Sequence, residues 1–389
     1  MNDFQKGILG VIKSGFTGEK ILLGENFPWE RAIEFVKAQS IDVMFFDGAM
    51  NSDIPQELLE RLKKRAMTMI VQNIKQDTET DRVLAVLKEN NIDFMPLKGA
   101  VLREMYPHEG MRYKSDIDIL VRQEQYGKIE EIMQNYGYNF ICESDHEYVW
   151  DKENVLHVEL HKHLIPSYNK DYYAYYGDGW KTAKAVDGSC YAMSDEDCFI
   201  YIFTHLAKHY RDSGIGLKHF IDIWVYITSK PDLDKAYIEA ELEKLQLADF
   251  FKNVIMTIKV WFYGAEPTKS SDLITDWTFS GGTYGSHDKN VLSRAVKESN
   301  VSGKNKSRVS RLIKAFFMPY SEMCIKYPIL KRVPFMLPVM WGVRVVTAVV
   351  LKKDNIKKRN ADIKMLTDEN VDAYQGALKA VGLEFDFKE

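Results

Sequence analysis

The first part of the chain has hydrophobic residues at the spacing of amphipathic helices. They recur every three or four positions, which puts them on one side of a helix that turns every ~3.6 residues. The apolar positions with this spacing are Ala32, Ile33, Phe35, Val36, Leu58, Leu59, Leu62, Met67, Ile70 and Ile74. The pattern predicts a helical N-terminal region over residues 1–90.

The spacing of apolar residues changes after position 90. Residues 90–97 are a candidate for a short strand, and the turn Lys98-Gly99 follows them. Apolar residues then return to helical spacing from Ala100 to Tyr106. The order predicts a strand, a turn and the start of a helix.

Polar and apolar residues alternate in the segment Asp116–Val121. Successive side chains of a strand point to opposite faces, so Asp116, Asp118 and Leu120 share one face. The alternation therefore predicts a strand with two carboxylates on the same side.

A third strand with polar side chains is predicted within a hairpin. The elements predicted after residue 122 are the helix Gln123–Tyr136, the strand Tyr138–Cys142, and the hairpin strands Glu147–Trp150 and Val155–His161. On the last strand, His157, Glu159 and His161 share one face. Residues 91–190 are therefore predicted to form a sheet domain.

Helical spacing returns in the second half of the chain. The predicted helices are Glu196–Tyr210, Leu217–Ser229, Asp234–Leu247 and Phe250–Phe262. Residues 280–307 are rich in Gly, Ser and Lys, and they predict an exposed, flexible loop with a short helix. We expect residues 191–389 to form a helical C-terminal domain, which makes the fold class α+β.

The segment 333–351 is almost entirely apolar. Arg344 lies near its centre, where a charge costs roughly 2.5–3.5 kcal/mol in a membrane, and Pro334, Pro338 and Gly342 are expected to disturb a helix. Lys331, Arg332, Lys352 and Lys353 flank it. A buried or docking helix is the favoured interpretation, and the alternatives are a membrane-surface helix and a membrane-spanning helix.

Composition excludes several classes of protein. Hydrophobic residues at 46% and charged residues at 28% are typical of a folded globular chain, and a net charge of -4 argues against a protein that coats nucleic acid. The Cys residues are widely spaced and form no CxxC pair, so neither a zinc ribbon nor a disulfide scaffold is expected. The N-terminus lacks the pattern of a secretory signal, and we expect a cytoplasmic protein.

The three carboxylates suggest chemistry on phosphates. Phosphoryl and nucleotidyl transfer need divalent metal ions held by rigid carboxylates. Asp116 and Asp118 on one strand, with Glu159 from a neighbouring strand, would supply such ligands. An Asp-x-Asp pair alone is common at exposed strand ends, so the interpretation depends on the surrounding sequence.

Three separated segments resemble a known family. They are Leu97-Lys-Gly-Ala-Val-Leu-Arg-Glu-Met-Tyr106, Arg112-Tyr-Lys-Ser-Asp-Ile-Asp-Ile-Leu-Val121 and His157-Val-Glu-Leu-His161. Together they resemble the largely uncharacterised bacterial nucleotidyltransferase family within the DNA polymerase beta superfamily. The resemblance covers roughly residues 93–227.

The resemblance implies a small mixed sheet with helices packed on it and a turn that binds a triphosphate. It also implies that Asp116, Asp118 and Glu159 bind Mg²⁺ or Mn²⁺ as catalytic ligands. The superfamily usually has Gly-Ser at the phosphate turn, whereas this chain has Gly99-Ala100 without the hydroxyl. Lys98 would compensate by placing an ammonium on the phosphates.

Other polar residues are candidates for substrate contacts. Arg112 and Lys114 precede the metal strand and would bind the nucleotide, and His157 and His161 flank Glu159. His205 and His209 lie one helical turn apart without the Glu of a zinc-binding helix, so we expect contacts with substrate rather than zinc. Further residues that permit such a role are Lys208, Lys218, His219 and Asp222. Each could instead be a solvated or structural residue.

The hypothesis from the sequence is a metal-dependent nucleotidyltransferase. It would move a nucleoside monophosphate from a nucleoside triphosphate to an unknown acceptor and release pyrophosphate. The alternative is a weakly active or inactive protein that uses the same cleft as a nucleotide-binding or protein-interaction module. Ala100 in place of Ser favours the alternative.

Overall fold

The protein contains helices and one mixed sheet, which confirms the α+β prediction. The computed structural model describes residues 1–108, 110–114, 116–153, 155–283, 285–302, 317, 320, 323, 327–351 and 365–384.

The N-terminal region is helical, as predicted. Its helices are α1 (Asp3–Thr17), α2 (Trp29–Gln39), α3 (Asp42–Ala49) and α4 (Gln56–Glu89). Asn2 caps the N-terminus of helix α1, and its side chain accepts a hydrogen bond from the Gln5 backbone N–H. It ends at Gly18, whose φ of 70° lies in the left-handed region that favours glycine.

The sheet has seven strands in the order β3-β4-β5-β2-β1-β7-β6. They are β1 (Phe94–Pro96), β2 (Asp116–Val121), β3 (Asn139–Glu143), β4 (Glu147–Lys152), β5 (Leu156–His161), β6 (Lys184–Asp187) and β7 (Cys190–Ala192). Strand β2 is parallel to β5 and antiparallel to β1, so the sheet is mixed. The predicted hairpin is confirmed as the antiparallel pair β4–β5.

Strands β6 and β7 extend the sheet beyond its predicted strands. They pair antiparallel, and β7 pairs with β1 through Cys190 and Phe94. Both are short, and their side chains are exposed or half-buried, so they lack the alternation that revealed β2 and β5.

Helices follow and separate the strands. The short helices near the sheet are α5 (Gly99–Leu102), α6 (Tyr126–Asn135) and α7 (Lys170–Tyr176), with 3-10 turns at Arg103–Met105, Gln123–Gln125 and Trp180–Thr182. The second half contains α8 (Asp195–Asp212), α9 (Leu217–Ser229), α10 (Lys235–Lys244), α11 (Ala248–Tyr263), α12 (Lys269–Phe279), α13 (His287–Ser302), α14 (Leu337–Leu351) and α15 (Asp368–Ala380). Those predicted over residues 196–262 are confirmed.

The two faces of the sheet pack in different cores. Ile117, Ile119 and Val121 of β2 pack with the end of α4 and with α6. Leu120 of the opposite face joins the larger core that α8, α9 and the N-terminal helices share. Because side chains alternate along β2, Asp116 and Asp118 lie on the face that is turned toward this larger core.

The Gly-rich segment after α12 is packed, contrary to the exposed loop that was predicted. The N–H and hydroxyl of Thr283 both donate to the Ala38 carbonyl, at 3.0 and 3.1 Å. At Gly285, with φ 78°, a Cβ would lie 1.9 Å from the Ser213 carbonyl oxygen. The composition gave no sign of these backbone contacts. Residues 284 and 303–307 of the predicted loop lie outside the described residues.

The segment 333–351 contains a helix despite its prolines and glycine. Pro334 begins the 3-10 turn Pro334–Met336, and Pro338 is the second residue of α14. A proline in the first turn of a helix interrupts no intrahelical hydrogen bond, so the expected disturbance was wrong. Gly342 lies within α14. Lys352 and Lys353 lie outside the described residues.

Helix α14 and its preceding turn are only partly buried. Phe335 is 83% exposed and Val339 is 57% exposed. Met340 and Trp341 pack with the buried Met323 in a small separate cluster. The exposed side chains contradict a fully buried helix, whereas the docking helix of the same interpretation stays a prediction. Among the described residues, no helix is long and apolar enough to cross a membrane.

Candidate active site

The candidate site lies on adjacent parallel strands, β2 and β5. Their register pairs Asp116 with His157 and Asp118 with Glu159. Paired positions on neighbouring strands are separated by about 5 Å and project side chains to the same face. The pairing therefore brings carboxylates from two separated sequence segments together.

A cavity of about 310 Å³ lies between this face of the sheet and helices α8 and α9. Of the residues predicted for the site, those that line the cavity are Lys98, Gly99, Arg112, Lys114, Asp116, Asp118, Glu159, His161, His205 and His209. The further candidates Lys208, Lys218, His219 and Asp222 line it as well. Among the described residues, Ala100 and His157 are not part of its lining. His157 instead has its Nδ1 3.5 Å from Asp151 on β4.

Asp118 is the centre of the charged contacts in the cavity. Its Oδ1 lies 2.7 Å from the Lys98 ammonium and 2.8 Å from Nε2 of His161. Burial alone would raise the pKa of Asp118, but these two cationic partners hold it well below its usual value. Asp118 is therefore ionised at neutral pH.

Asp116 has the opposite electrostatic environment. Burial raises its pKa, and the nearby charges of Asp118 and Glu159 raise it further. A divalent cation would relieve this repulsion. Asp118, Glu159 and His161 also offer ligand atoms within 4.8 Å of one another, so the residues fit a metal ion.

His161 adds an imidazole to the carboxylates. Its side chain is 1% exposed, and its Nε2 also lies 3.5 Å from Glu159. Burial would lower the pKa of His161, but the hydrogen bonds to Asp118 and Glu159 raise it above its usual value. The same imidazole forms a second potential metal-binding group with His146 and Glu147.

The turn after β1 approaches the carboxylates closely. Lys98 has φ 41°, an unusual backbone conformation for a residue other than glycine. A Cβ at Gly99 would lie 2.9 Å from Nη1 of Arg112, so a larger residue here would require this guanidinium to shift. The N–H of Ala100 donates to the Leu97 carbonyl at 3.1 Å. Gly99 therefore faces the cavity, whereas the Ala100 N–H is engaged within the turn.

Arg112 and Lys114 are held by carboxylates outside the metal cluster. Arg112 makes a bidentate pair with Asp222 of α9, at 2.6 and 2.9 Å, and Tyr106 donates to the same carboxylate. Lys114 contacts Asp77 of α4 at 2.5 Å. The predicted basic residues therefore also tie the sheet to the surrounding helices.

We expect Asp222→Asn to lower the free energy of unfolding by about 2 kcal/mol, because buried hydrogen bonds to charged groups contribute roughly 1.5–3 kcal/mol. Both partners are buried, with side chains 8% and 3% exposed. Urea denaturation of both proteins measures the difference.

A control for this variant is Glu30→Gln, which breaks an exposed pair with Arg61. Its effect should be much smaller than that of Asp222→Asn, because exposed ion pairs contribute little to stability. Equal losses for the two variants would contradict the prediction. Burial would raise the pKa of Asp222, but Arg112 holds it below its usual value. The stabilisation is therefore full above the unfolded pKa of about 3.9 and is lost as pH falls through the lower folded pKa.

The helical wall of the cavity carries nitrogen groups. They are His205, Lys208 and His209 of α8, and Lys218 and His219 of α9. Burial and the nearby charge of Lys98 lower the pKa of Lys208 to about 8. Burial and the nearby charge of Arg112 lower the pKa of Lys218 to about 8 as well. Burial and neighbouring cations also lower the pKa of His205 and His209 well below its usual value, so both imidazoles are neutral at pH 7.

The sequence did not identify His146 and Glu147 as site residues. Glu147 pairs with His161 across the β4–β5 hairpin, and the His146 and His161 rings are 4.4 Å apart. Burial raises the pKa of Glu147, and the charge of Glu159 raises it further. The predicted hairpin contained the necessary signal, because its register places Glu147 opposite His161.

The chain shares features with known nucleotidyltransferases. A family model described as an uncharacterised nucleotidyltransferase matches residues 25–263, a wider range than the resemblance in the sequence covered. No curated protein matches the chain in sequence. The solution structure of the antibiotic-resistance factor ANT(2'')-Ia matches at 15% identity and a TM-score of 0.32, covering 50% of this chain and 100% of that one. A likeness this distant carries no argument about substrates.

Proposed function

This chain belongs to the family of uncharacterised nucleotidyltransferases, and we propose that it transfers a nucleoside monophosphate from a nucleoside triphosphate to an acceptor in a metal-dependent reaction. The observation that carries the proposal is the pairing of Asp118 with Glu159 on parallel strands, beside Asp116 in one cavity. Such a carboxylate set suits hard divalent cations.

Asp116 and Asp118 would hold two Mg²⁺ or Mn²⁺ ions, and Glu159 would share one of them. When bound, these ions neutralise phosphate charge and favour loss of the acceptor proton. His161 would orient Asp118 and Glu159 through its contacts at 2.8 and 3.5 Å. His205 and His209 would contact substrate as neutral hydrogen-bonding groups.

In the proposed reaction, an acceptor oxygen attacks the α-phosphorus of the triphosphate. A new P–O bond forms, the bond between the α-phosphorus and the bridging oxygen breaks, and pyrophosphate leaves. The acceptor proton passes to a nearby carboxylate, for which Glu159 is the candidate. Lys98, Gly99, Arg112 and Lys114 would surround the triphosphate.

Lys98 would have one role before a metal ion binds and another role afterwards. Without a metal, its ammonium neutralises Asp118 at 2.7 Å. With Asp118 engaged as a metal ligand, the Lys98 ammonium would be available to bind the β- and γ-phosphates.

We expect Lys98→Met to weaken binding of a Mg²⁺–nucleoside triphosphate by about tenfold or more, and binding of the monophosphate by less than about threefold, because only the triphosphate reaches the ammonium. Methionine keeps the length of the side chain without its charge. Calorimetry with both nucleotides, together with a pyrophosphate-release assay of the wild type, tests the binding mode and the reaction.

Equal losses for the two nucleotides would assign Lys98 a structural role. Met67→Leu is a suitable control, since Met67 is 44% exposed on α4. The alternative, a module that binds nucleotide without transferring it, is favoured by Ala100 in place of the usual serine. Tight triphosphate binding without pyrophosphate release from any tested acceptor would support that alternative.

A further inference from the structure

The strand order places the proposed triphosphate site and the proposed acceptor site on opposite sides of β2. The turn after β1, with Lys98 and Gly99, lies on one side of β2. Strands β5 and β4 lie on the other side. In an in-line displacement, the attacking oxygen and the leaving group occupy opposite sides of the phosphorus. If the triphosphate binds at the turn, the acceptor therefore approaches from β4 and β5.

The two lysines of the helical wall, Lys208 and Lys218, lie in different halves of the cavity. The Lys218 ammonium donates to the carbonyl of Tyr113, just before β2, at 3.4 Å. Besides burial, the charges that act on the pKa of Lys218 are those of Arg112, Asp222, Asp116 and Asp118. The pKa of Lys208 is instead raised by the charges of Asp212 at the end of α8, Asp118, and Glu147 of β4. Lys218 thus belongs to the triphosphate half of the cavity, and Lys208 belongs to the half beside β4.

Lys208 has a charge that the described structure does not neutralise. Its residue is 9% exposed, and among the described residues none makes an ion pair with its ammonium. Three other cations of the cavity have carboxylate partners: Lys98 with Asp118, Arg112 with Asp222, and Lys114 with Asp77. Lys218 instead donates to the backbone carbonyl of Tyr113 at 3.4 Å. An ammonium held in a cavity without a partner calls for an anion from outside the chain.

Metal ions would increase this demand for an anion. Once cations occupy Asp116, Asp118 and Glu159, the charge of Asp118 no longer offsets the ammonium of Lys208. A triphosphate in the other half supplies charge near Lys218 and the turn. The half beside β4 then contains Lys208, the neutral His146 and the carboxylate of Glu147. Burial and the neighbouring His161 lower the pKa of His146, so its imidazole adds hydrogen-bonding capacity without charge.

We propose that the half of the cavity between β4 and α8, lined by His146, Glu147 and Lys208, binds the acceptor, and that the acceptor carries an anionic group, a phosphate or a carboxylate, which Lys208 binds. This inference rests on the proposed function and specifies its substrate class. The nucleophilic oxygen of the acceptor lies beside Glu159, and its anionic group lies toward α8. A neutral or cationic acceptor would leave the ammonium of Lys208 buried and unpaired.

The test uses the full chain with Mg²⁺ and a non-cleavable α,β-methylene nucleoside triphosphate, with the base that binds most tightly. Inorganic phosphate and acetate are titrated in turn into this complex, and binding is followed by calorimetry. Lys208→Met removes the charge and keeps the apolar stem, while Lys208→Arg restores a cation. Lys218→Met is the matched variant for the other half. Thermal melting checks that each variant is folded.

We expect phosphate or acetate to bind the complex of the wild type with Mg²⁺ and the triphosphate analogue. Lys208→Met should weaken this anion binding about tenfold or more, and it should change the affinity for the triphosphate analogue less than about twofold. Lys218→Met should do the reverse, and Lys208→Arg should recover most of the anion binding. Tighter binding of phosphate than of acetate would indicate a phosphorylated acceptor, and the opposite order a carboxylated one.

Three results would overturn the inference. The complex of the wild type with Mg²⁺ and the triphosphate analogue could bind neither phosphate nor acetate. An anion could also bind the Lys208→Met complex as tightly as it binds the wild-type complex. Alternatively, Lys208→Met could weaken the triphosphate as much as Lys218→Met does, which would place both lysines on the nucleotide. Failure of every analogue to bind the wild type would be a different result, because it would remove the proposed function and this inference with it.

Discussion

Replacing Asp118 by Asn is expected to reduce pyrophosphate release by about a thousandfold or more, because it removes a charge from the centre of the proposed metal site. Asn keeps the shape of the side chain and can still accept a hydrogen bond from Lys98 or His161. The variant therefore changes the charge with little change in packing. Pyrophosphate release at saturating Mg²⁺ and, separately, at saturating Mn²⁺ measures the loss.

The same variant should also lose metal affinity. Asp118 is held ionised by Lys98 and His161, so its full negative charge is available to a cation at neutral pH. Calorimetric titration of Mn²⁺ into the wild type and Asp118→Asn tests this part directly. The double variant Asp116→Asn, Asp118→Asn should show no more than residual binding.

Asp187→Asn is the control for Asp118→Asn. Asp187 pairs with Lys88 at the exposed edge of the sheet, away from the cavity lining. Its loss should leave pyrophosphate release within about twofold of the wild type, since exposed ion pairs contribute little. If Asp118→Asn retained activity within about tenfold, Asp118 would not be a metal ligand in the reaction.

Local sequence patterns were sufficient to locate the elements that bear the candidate site. The alternation in Asp116–Val121 predicted both the strand and the shared face of its carboxylates. The hairpin pattern likewise predicted the strand with Glu159 and His161. These predictions succeed because the period of two along a strand depends only on adjacent residues.

Contacts between distant segments could not be predicted in the same way. Arg112 pairs with Asp222, which is 110 positions away. The parallel pairing of β2 with β5 is also non-local, because helix α6 and the two strands β3 and β4 intervene. Family resemblance supplied the mixed sheet, whereas neither resemblance nor spacing identified His146 and Glu147 as residues that line the cavity together with Lys208.

Predictions from composition were the least accurate. Glycine and serine after α12 suggested an exposed loop, but Thr283 is buried by backbone contacts with Ala38. Prolines in the segment 333–351 suggested a disturbed helix, but Pro338 lies in the first turn of α14, where it is tolerated. Composition identifies residue types, whereas their effect depends on position within an element.

Glu159→Gln is expected to separate nucleotide binding from transfer. Glu159 reaches the site from β5, opposite Asp118, whereas the proposed triphosphate contacts come from the turn after β1. Glutamine preserves the shape of the side chain and can remain beside His161. We therefore expect triphosphate affinity to stay within about threefold of the wild type, while pyrophosphate release falls by about a hundredfold or more.

Single-turnover measurements at saturating triphosphate would isolate the transfer step, and calorimetry would give the affinity. Glu153→Gln provides the matched control, because Glu153 is an exposed residue at the turn of the same hairpin. It should change neither quantity. Parallel losses of affinity and transfer in Glu159→Gln would instead indicate that Glu159 supports the whole cavity. Unchanged transfer would leave Asp116 and Asp118 without their third carboxylate and would refute the proposed arrangement of the site.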